Sequence, residues 1–365
     1  MSLSAQRFDV MILGAGPAGA TASAVLADAG VRVLMVDHAQ TRRVHVGEGL
    51  PPGARPLLRQ LGMWDELSVA HLPSRGNESA WGSPRLHSTQ FVRDPAGQGW
   101  HLDRPRFDAS LRHAAALSGA CLQYAKVVHV ARNRSGWQLT LDLPHRRVVH
   151  ASWTIDCTGR RAWFARRGGA SRRLHDRLVA FVSQCAVTPG DRDAMTLVES
   201  APHGWWYTSR LPAGKRVVAY LTDGDDVSAR HGRSAAGFSA MLRATLHIEG
   251  RMGSVRIDPS AAPRIVAADS SRLERPAGLG WLAAGDAAMS FDPLSSQGVL
   301  TAMYSGMIAA QTVRSHLSGD RSAIANYCER LDAIYSTYLH HRRDYYAQER
   351  RWSHHAFWHR RHATS

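Results

Sequence analysis

One stretch near the N-terminus limits the fold of this chain more than any other. Phe8–Leu13 is a short, nearly all-apolar run, the pattern of a strand buried on both faces. Gly14, Gly16 and Gly19 follow at once in the G-x-G-x-x-G spacing. Ala18 to Ala29 then reads as a helix of small residues that ends at Gly30, and Val31–Val36 as a second strand. Asp37 stands at the end of that strand, 18 residues past Gly19. This is a βαβ unit whose glycines allow a tight turn and a close approach to a pyrophosphate, with a carboxylate placed for ribose hydroxyls. It predicts an α/β protein with a Rossmann-like, dinucleotide-binding parallel sheet.

A second stretch, at residues 281–298, narrows the dinucleotide to a flavin. The apolar run Trp281–Ala284 stops at Gly285-Asp286, a loop containing Pro293 follows, and a new apolar segment starts near Gly298. A strand that ends at Gly-Asp puts a carboxylate where a ribityl hydroxyl can be bound. The small residues after Pro293 let backbone N–H groups approach a flat anionic ring at the start of a helix.

The two stretches lie at opposite ends of the chain, so the domains must be interleaved. We expect a discontinuous FAD-binding domain from residues 1–75, 101–175 and 264–325, and a substrate domain from 76–100 and 176–263. Residues 326–365 form a C-terminal helical segment. Helices are expected near Arg55 to Leu67, Phe107 to Ser118, Ala235 to Leu246 and Gly298 to Leu317. The runs Arg177–Val187, Met195–Glu199, Gly204–Leu211 and Arg216–Thr222, separated by tight turns, predict an antiparallel sheet in the substrate domain. From Ser322 onward the pattern is helical, with an aromatic stripe through Tyr335, Tyr338, Tyr345, Tyr346 and Trp352. That stripe fits a helix packed on the body of the protein or a docking surface for a partner.

Composition removes several function classes. The formal net charge is +15, and almost all of the positive charge is arginine, since Lys126 and Lys215 are the only lysines. The arginines are dispersed and no nucleic-acid motif occurs, so nucleic acid is not an expected partner. An acidic partner protein or an anionic substrate suits the charge better. No apolar run reaches the ~18 residues of a membrane span. Four well-separated cysteines, 121, 157, 185 and 328, match no zinc spacing, so no metal site is expected. Their pattern and the absence of a signal-peptide pattern suggest a cytoplasmic protein.

These motifs, taken in order, resemble FAD-dependent oxidoreductases of the p-hydroxybenzoate hydroxylase superfamily. The branch that fits best holds flavin-dependent halogenases and geranylgeranyl reductases. Val46-Gly47-Glu48-Gly49-Leu50-Pro51 matches its Gly-Glu loop beside the flavin, and Leu102–Asp108 its arginine segment, which implies that Arg104 contacts the cofactor. Asp156-Cys157-Thr158-Gly159 matches a strand end of the family, and Gly285-Asp286 with Pro293–Gly298 its flavin-ring loop. The implied cofactor set is Gly14, Gly16, Gly19, Asp37, Arg104, Asp156, Gly159, Asp286, Pro293 and Gly298.

The resemblance leaves the reaction open. A halogenase needs a lysine some tens of residues after the Gly-Glu loop, and no lysine precedes Lys126. Arginine is a poor substitute because its guanidinium does not readily deprotonate. Gly204-Trp205-Trp206-Tyr207, with the Asp292-Pro293 loop, also resembles flavoproteins that mature peptide-derived quinone cofactors inside a partner protein. The leading expectation is therefore a monooxygenase acting on an electron-rich aromatic, either a small molecule or a partner-protein side chain. Electrons would come from NAD(P)H or a partner flavin reductase, because no second dinucleotide-binding unit appears. A double-bond reductase, a halogenase and a non-catalytic flavin-holding accessory protein are the alternatives. Asp292, Trp206 and Glu48 are the residues expected to take part in the chemistry. Side chains alternate along a strand, so Trp206 and its neighbours cannot share one face.

Overall fold

The computed structural model describes residues 6–38, 47–188, 190–253, 255, 257–258 and 260–363. Val46 of the Gly-Glu loop lies outside them. The strand Gln6–Leu13 sits at the centre of a mainly parallel sheet, between Arg147–Asp156 on one side and Val33–Asp37 on the other. Cys121–Tyr124 and Trp281–Ala283 extend the parallel set outward. The expected return of the chain to this sheet at Trp281 is therefore present, and the FAD-type fold is built from distant segments.

Two close approaches explain the glycines of the first turn. Gly14 has φ +101°, and a Cβ there would lie 2.2 Å from the carbonyl oxygen of Cys157. A Cβ at Gly19 would meet the Gly14 carbonyl oxygen at 1.8 Å, so the helix Pro17–Asp28 can start directly behind the strand only without one. The same helix packs on Gly298–Leu317, where a Cβ at Gly306 would meet the Ala18 carbonyl oxygen at 2.2 Å.

The second layer is a seven-stranded sheet in the order 264–267, 178–186, 215–223, 204–211, 195–201, 76–80, 87–90. It is antiparallel except where Met195–Ala201 runs parallel to Gly76–Ala80. Its two faces are covered by different elements. Helices Val227–Gly232, Ala235–Arg243 and His247–Met252 supply the covering residues of one face, in a cluster with Phe181, Trp206 and Tyr220. The other face carries Trp81 and Trp205, joined there by Tyr346, Phe357 and Trp358 from the C-terminal segment.

Local chemistry moves several element ends from where the sequence pattern sets them. The helix expected near Arg55 to Leu67 is two, Arg55–Gln60 and Trp64–Ala70, because Gly62 adopts φ +68° between them. The C-terminal run is also two helices, Ala323–Ala347 and Ala356–Ala363. Between them the buried Glu349 turns back into the protein and accepts hydrogen bonds from the Gly82 N–H (2.9 Å) and Ser200 Oγ (2.6 Å). No helix among the described residues is long and apolar enough to cross a membrane.

Candidate active site

A cleft of about 990 Å³ opens at the C-terminal ends of the parallel strands. Its floor is the first turn, with Gly14 and Gly16. The helix behind that turn starts at Gly16 with no side-chain cap and no acidic residue in its first turn, so its N–H groups are left for an anion. A Cβ at Gly16 would meet no protein atom within 4 Å; the space is the cleft itself. Asp37, Tyr124 and Lys126 line one end, and Glu48 and Arg104 also border the cavity. The donor set thus fits a dinucleotide, with N–H groups at the turn for a pyrophosphate and a carboxylate, Asp37, for ribose hydroxyls.

Glu48 stands out electrostatically. It is buried, its Oε2 accepts the Gly47 N–H (3.1 Å), and the Tyr207 hydroxyl lies 3.4 Å away as a second donor. Its Oε1 is sealed from solvent and has no hydrogen-bond partner among the described residues. Burial pushes the carboxyl above the ordinary glutamate range, and the nearby Arg104 guanidinium opposes this. Arg104 itself donates to the Gly47 carbonyl (2.7 Å) and pairs with Asp108 at 3.3 Å, so it pins the Gly-Glu loop. A buried carboxylate oxygen without a partner costs free energy, and it is the residue Glu48, rather than this sealed atom, that borders the cleft.

The structure brings Gly14, Gly16, Asp37, Glu48, Arg104 and Gly159 together around one cleft. Gly19 sits one turn into the helix as a packing residue. Four other expected cofactor residues do not line this particular cavity. Asp156 is fully buried and spends its carboxylate internally: it accepts from Thr158 N and Oγ1 and from the N–H groups of Phe164 and Ala165. It shapes the loop that carries Gly159 and does not face the cleft. Asp286 lies on the turn Gly285–Ala287, 3.7 Å from Arg160, outside the cleft wall, as do Pro293 and Gly298 on the loop beyond.

Asp292 is a structural anchor. Its carboxylate accepts from the Leu294 N–H (2.9 Å) and the Tyr346 hydroxyl (2.7 Å), with Arg342 at 3.5 Å. The Tyr338 hydroxyl accepts its backbone N–H at 2.8 Å. It caps the short Pro293–Ser295 helix and ties this loop to the C-terminal helix. With those partners in place it is not a free general base. Trp206 belongs to the sealed face of the large sheet, against Tyr220 (ring centroids 4.8 Å apart) and Phe238 (5.1 Å). The pleat that carries Trp206 away turns Trp205 and Tyr207 to the other side, where Tyr207 reaches Glu48.

Tyr207 is thus the residue that reasoning from the sequence missed. Alternation offered two faces, and Trp206 falls on the one that the three short helices seal. Lys126 and Lys215, the two lysines of the chain, both border the cleft, and their scarcity was the only signal. The aromatic stripe of the C-terminal segment is mainly core: Tyr335, Tyr338 and Tyr346 are buried, and only Tyr345 is exposed. Among the described residues no cluster of histidine, cysteine or acidic side chains could hold a metal ion.

A family model described as an FAD binding domain matches residues 7–340. The chain is 28% identical over 373 residues to a Marinomonas mediterranea protein described as an FAD-dependent oxidoreductase, LodB, covering 99% of this chain and 98% of that one. Among solved structures, the myxobacterial chondrochloren halogenase CndH superposes with a TM-score of 0.84 at 23% identity, over 98% of this chain and 86% of that one. The peptidyl tryptophan dihydroxylase QhpG, essential for tryptophylquinone cofactor biogenesis, superposes with a TM-score of 0.79 at 24% identity, over 97% and 78%. Both superpositions show the same fold.

Proposed function

This chain belongs to the FAD binding domain family, and from that premise we propose that it is a monooxygenase that hydroxylates an aromatic side chain presented by a partner protein. One observation carries the reading: Glu48, a buried carboxylate with an unpartnered Oε1, stands on the cleft wall beside Tyr207. Bound, reduced FAD supplies the activation of oxygen. The protein's task is to hold an electron-rich ring and to take its proton. Glu48 is suited to that task because burial raises its proton affinity toward the working pH. The Arg104 guanidinium opposes that rise and, through the Gly47 carbonyl, holds the loop in place.

Three further points support the reading. The likeness to LodB runs the full length of both chains, and QhpG, of the same fold, acts on tryptophan within a peptide. A net charge of +15 favours encounter with an acidic partner. Halogenation lacks its lysine: neither lysine precedes residue 126. Reducing equivalents would come from NAD(P)H directly or through a partner reductase.

The test supplies the FAD-loaded protein with NADH, a flavin reductase, oxygen and bromide, together with acidic peptides containing tryptophan or tyrosine. The expected product gains the mass of one or two oxygen atoms. Glu48→Gln should keep its FAD and lose roughly 10²–10⁴-fold in kcat, the usual contribution of a general base. A brominated product, or full activity in Glu48→Gln, contradicts the proposal.

A further inference from the structure

A file of oxidisable rings runs from the cleft to solvent. Tyr207, whose hydroxyl meets Glu48, has its ring centroid 6.3 Å from that of Trp205. Trp205 lies 6.4 Å from Trp81, and Trp81 lies 5.3 Å from Tyr345. Tyr207 is largely enclosed and Trp205 and Trp81 are buried, whereas Tyr345 is 37% exposed. Four rings in three steps therefore connect Tyr207, one residue behind the cleft wall at Glu48, to water.

The opposite face of the same sheet offers no such path. There Trp206 and Tyr220 are shut in with Phe181 and Phe238, and phenylalanine is not readily oxidised. We propose that Tyr207, Trp205, Trp81 and Tyr345 form a hole-transfer route that carries one-electron oxidising equivalents from the flavin site to the surface. The need for it rests on the oxygen-handling function proposed above; the route itself does not.

The surrounding polar groups fit the chemistry of each ring. When an oxygen-derived radical at the site takes an electron from Tyr207, the phenolic proton passes to Glu48, its hydrogen-bond partner, and the radical is reduced. Tyr207 is refilled by an electron from Trp205 and takes its proton back from Glu48, and Trp205 is refilled by an electron from Trp81. The Trp81 indole N–H donates to a backbone carbonyl, that of Tyr345 (2.9 Å), which takes no proton, so Trp81 relays charge alone. Tyr345 supplies the last electron and gives its proton to water. A thiol in solution then returns one electron and one proton to Tyr345, so one thiol hydrogen is consumed for each oxidant quenched.

A branch from Trp81 leads to Trp358 (5.3 Å) and Trp352 (6.2 Å further), but the Arg351 guanidinium sits over Trp352 at 4.3 Å. A fixed cation against that ring disfavours a second positive charge on it. Tyr345 is thus the better exit.

Light-excited oxidised FAD serves as the test oxidant, with no oxygen and no substrate present, so the outcome is independent of the hydroxylase reading. The FAD-loaded protein is flash-illuminated anaerobically and followed by transient absorption and electron paramagnetic resonance. The wild type should give a long-lived tyrosyl radical that an added thiol quenches. Tyr345→Phe, an exposed and conservative change, and Trp81→Phe should retain FAD but strand the hole on the buried rings, giving a radical that decays faster and that thiol does not quench. Trp206→Phe should leave the long-lived signal intact. Absence of an aromatic radical in the wild type, or a long-lived, thiol-quenched signal that persists in Tyr345→Phe, overturns the proposal.

Discussion

The two faces of the seven-stranded sheet are built from adjacent residues and do different work. On the sealed face Trp206, Tyr220, Phe181 and Phe238 pack beneath three short helices. Their polar neighbours are satisfied within that layer: the Tyr220 hydroxyl meets His203 O (3.0 Å) and Ser228 Oγ (2.9 Å). Glu199 accepts the N–H groups of Leu246, His247 and Ile248. On the cleft face, polar groups reach out to the Gly-Glu loop and the C-terminal helices. Tyr207 meets Glu48, Trp205 Nε1 donates to the Tyr346 hydroxyl (3.0 Å), and Tyr346 donates to Asp292. The first face is core. The second brings Tyr207 to the buried Glu48, at the border of the cleft.

The largest expected effect tests the sealed face. Trp206→Ala removes a fully buried indole and should cost about 3–5 kcal/mol of stability. The folded fraction should still bind FAD with wild-type affinity. Urea unfolding monitored alongside an FAD titration checks both. A variant that keeps its stability but loses FAD would place Trp206 in the site after all and break the comparison.

A smaller effect sharpens the cleft side. His101 links the strand that pairs with Gly49 to Thr196 of the large sheet, with its Nε2 2.9 Å from Thr196 Oγ1. Burial pushes its pKa down from 6.5 to about 4. The unfolded chain therefore binds a proton at His101 below pH 6.5 that the folded protein refuses until near pH 4. Its contribution is complete above 6.5 and is lost as pH falls across that window, at up to about 1.4 kcal/mol per pH unit. The slope of unfolding free energy against pH between 6.5 and 4 should be shallower in His101→Gln than in the wild type. Equal slopes would show that His101 is protonated in the fold.

How much of this was legible in the sequence depended on the range of the interaction. The dinucleotide unit was readable because its constraints are local: Gly14 and Gly19 are fixed by backbone approaches within the turn or to the neighbouring strand. Asp156 was found as a motif but its role was misread, because the N–H groups that consume its carboxylate come from the next helix, not from a ligand. Asp292 was half-read: the turn-forming Asp-Pro pattern was visible, but Tyr346 lies 54 residues away. Trp206 and Tyr207 show the sharpest limit. Strand alternation separates them without saying which face is sealed, and only the distant partners tell the faces apart: the helices over Trp206 and Glu48, 159 residues from Tyr207.

The most direct test of this division is a crystal structure of the protein with FAD bound. The account predicts the pyrophosphate at the Gly14–Gly19 turn and the flavin ring on the Glu48 and Tyr207 side of the large sheet, with a donor or a bound water within hydrogen-bond reach of Glu48 Oε1. Trp206 should remain sealed beneath its helices. A ring that contacts Trp206, or a Glu48 carboxylate still unpartnered and remote from the ring, would contradict it.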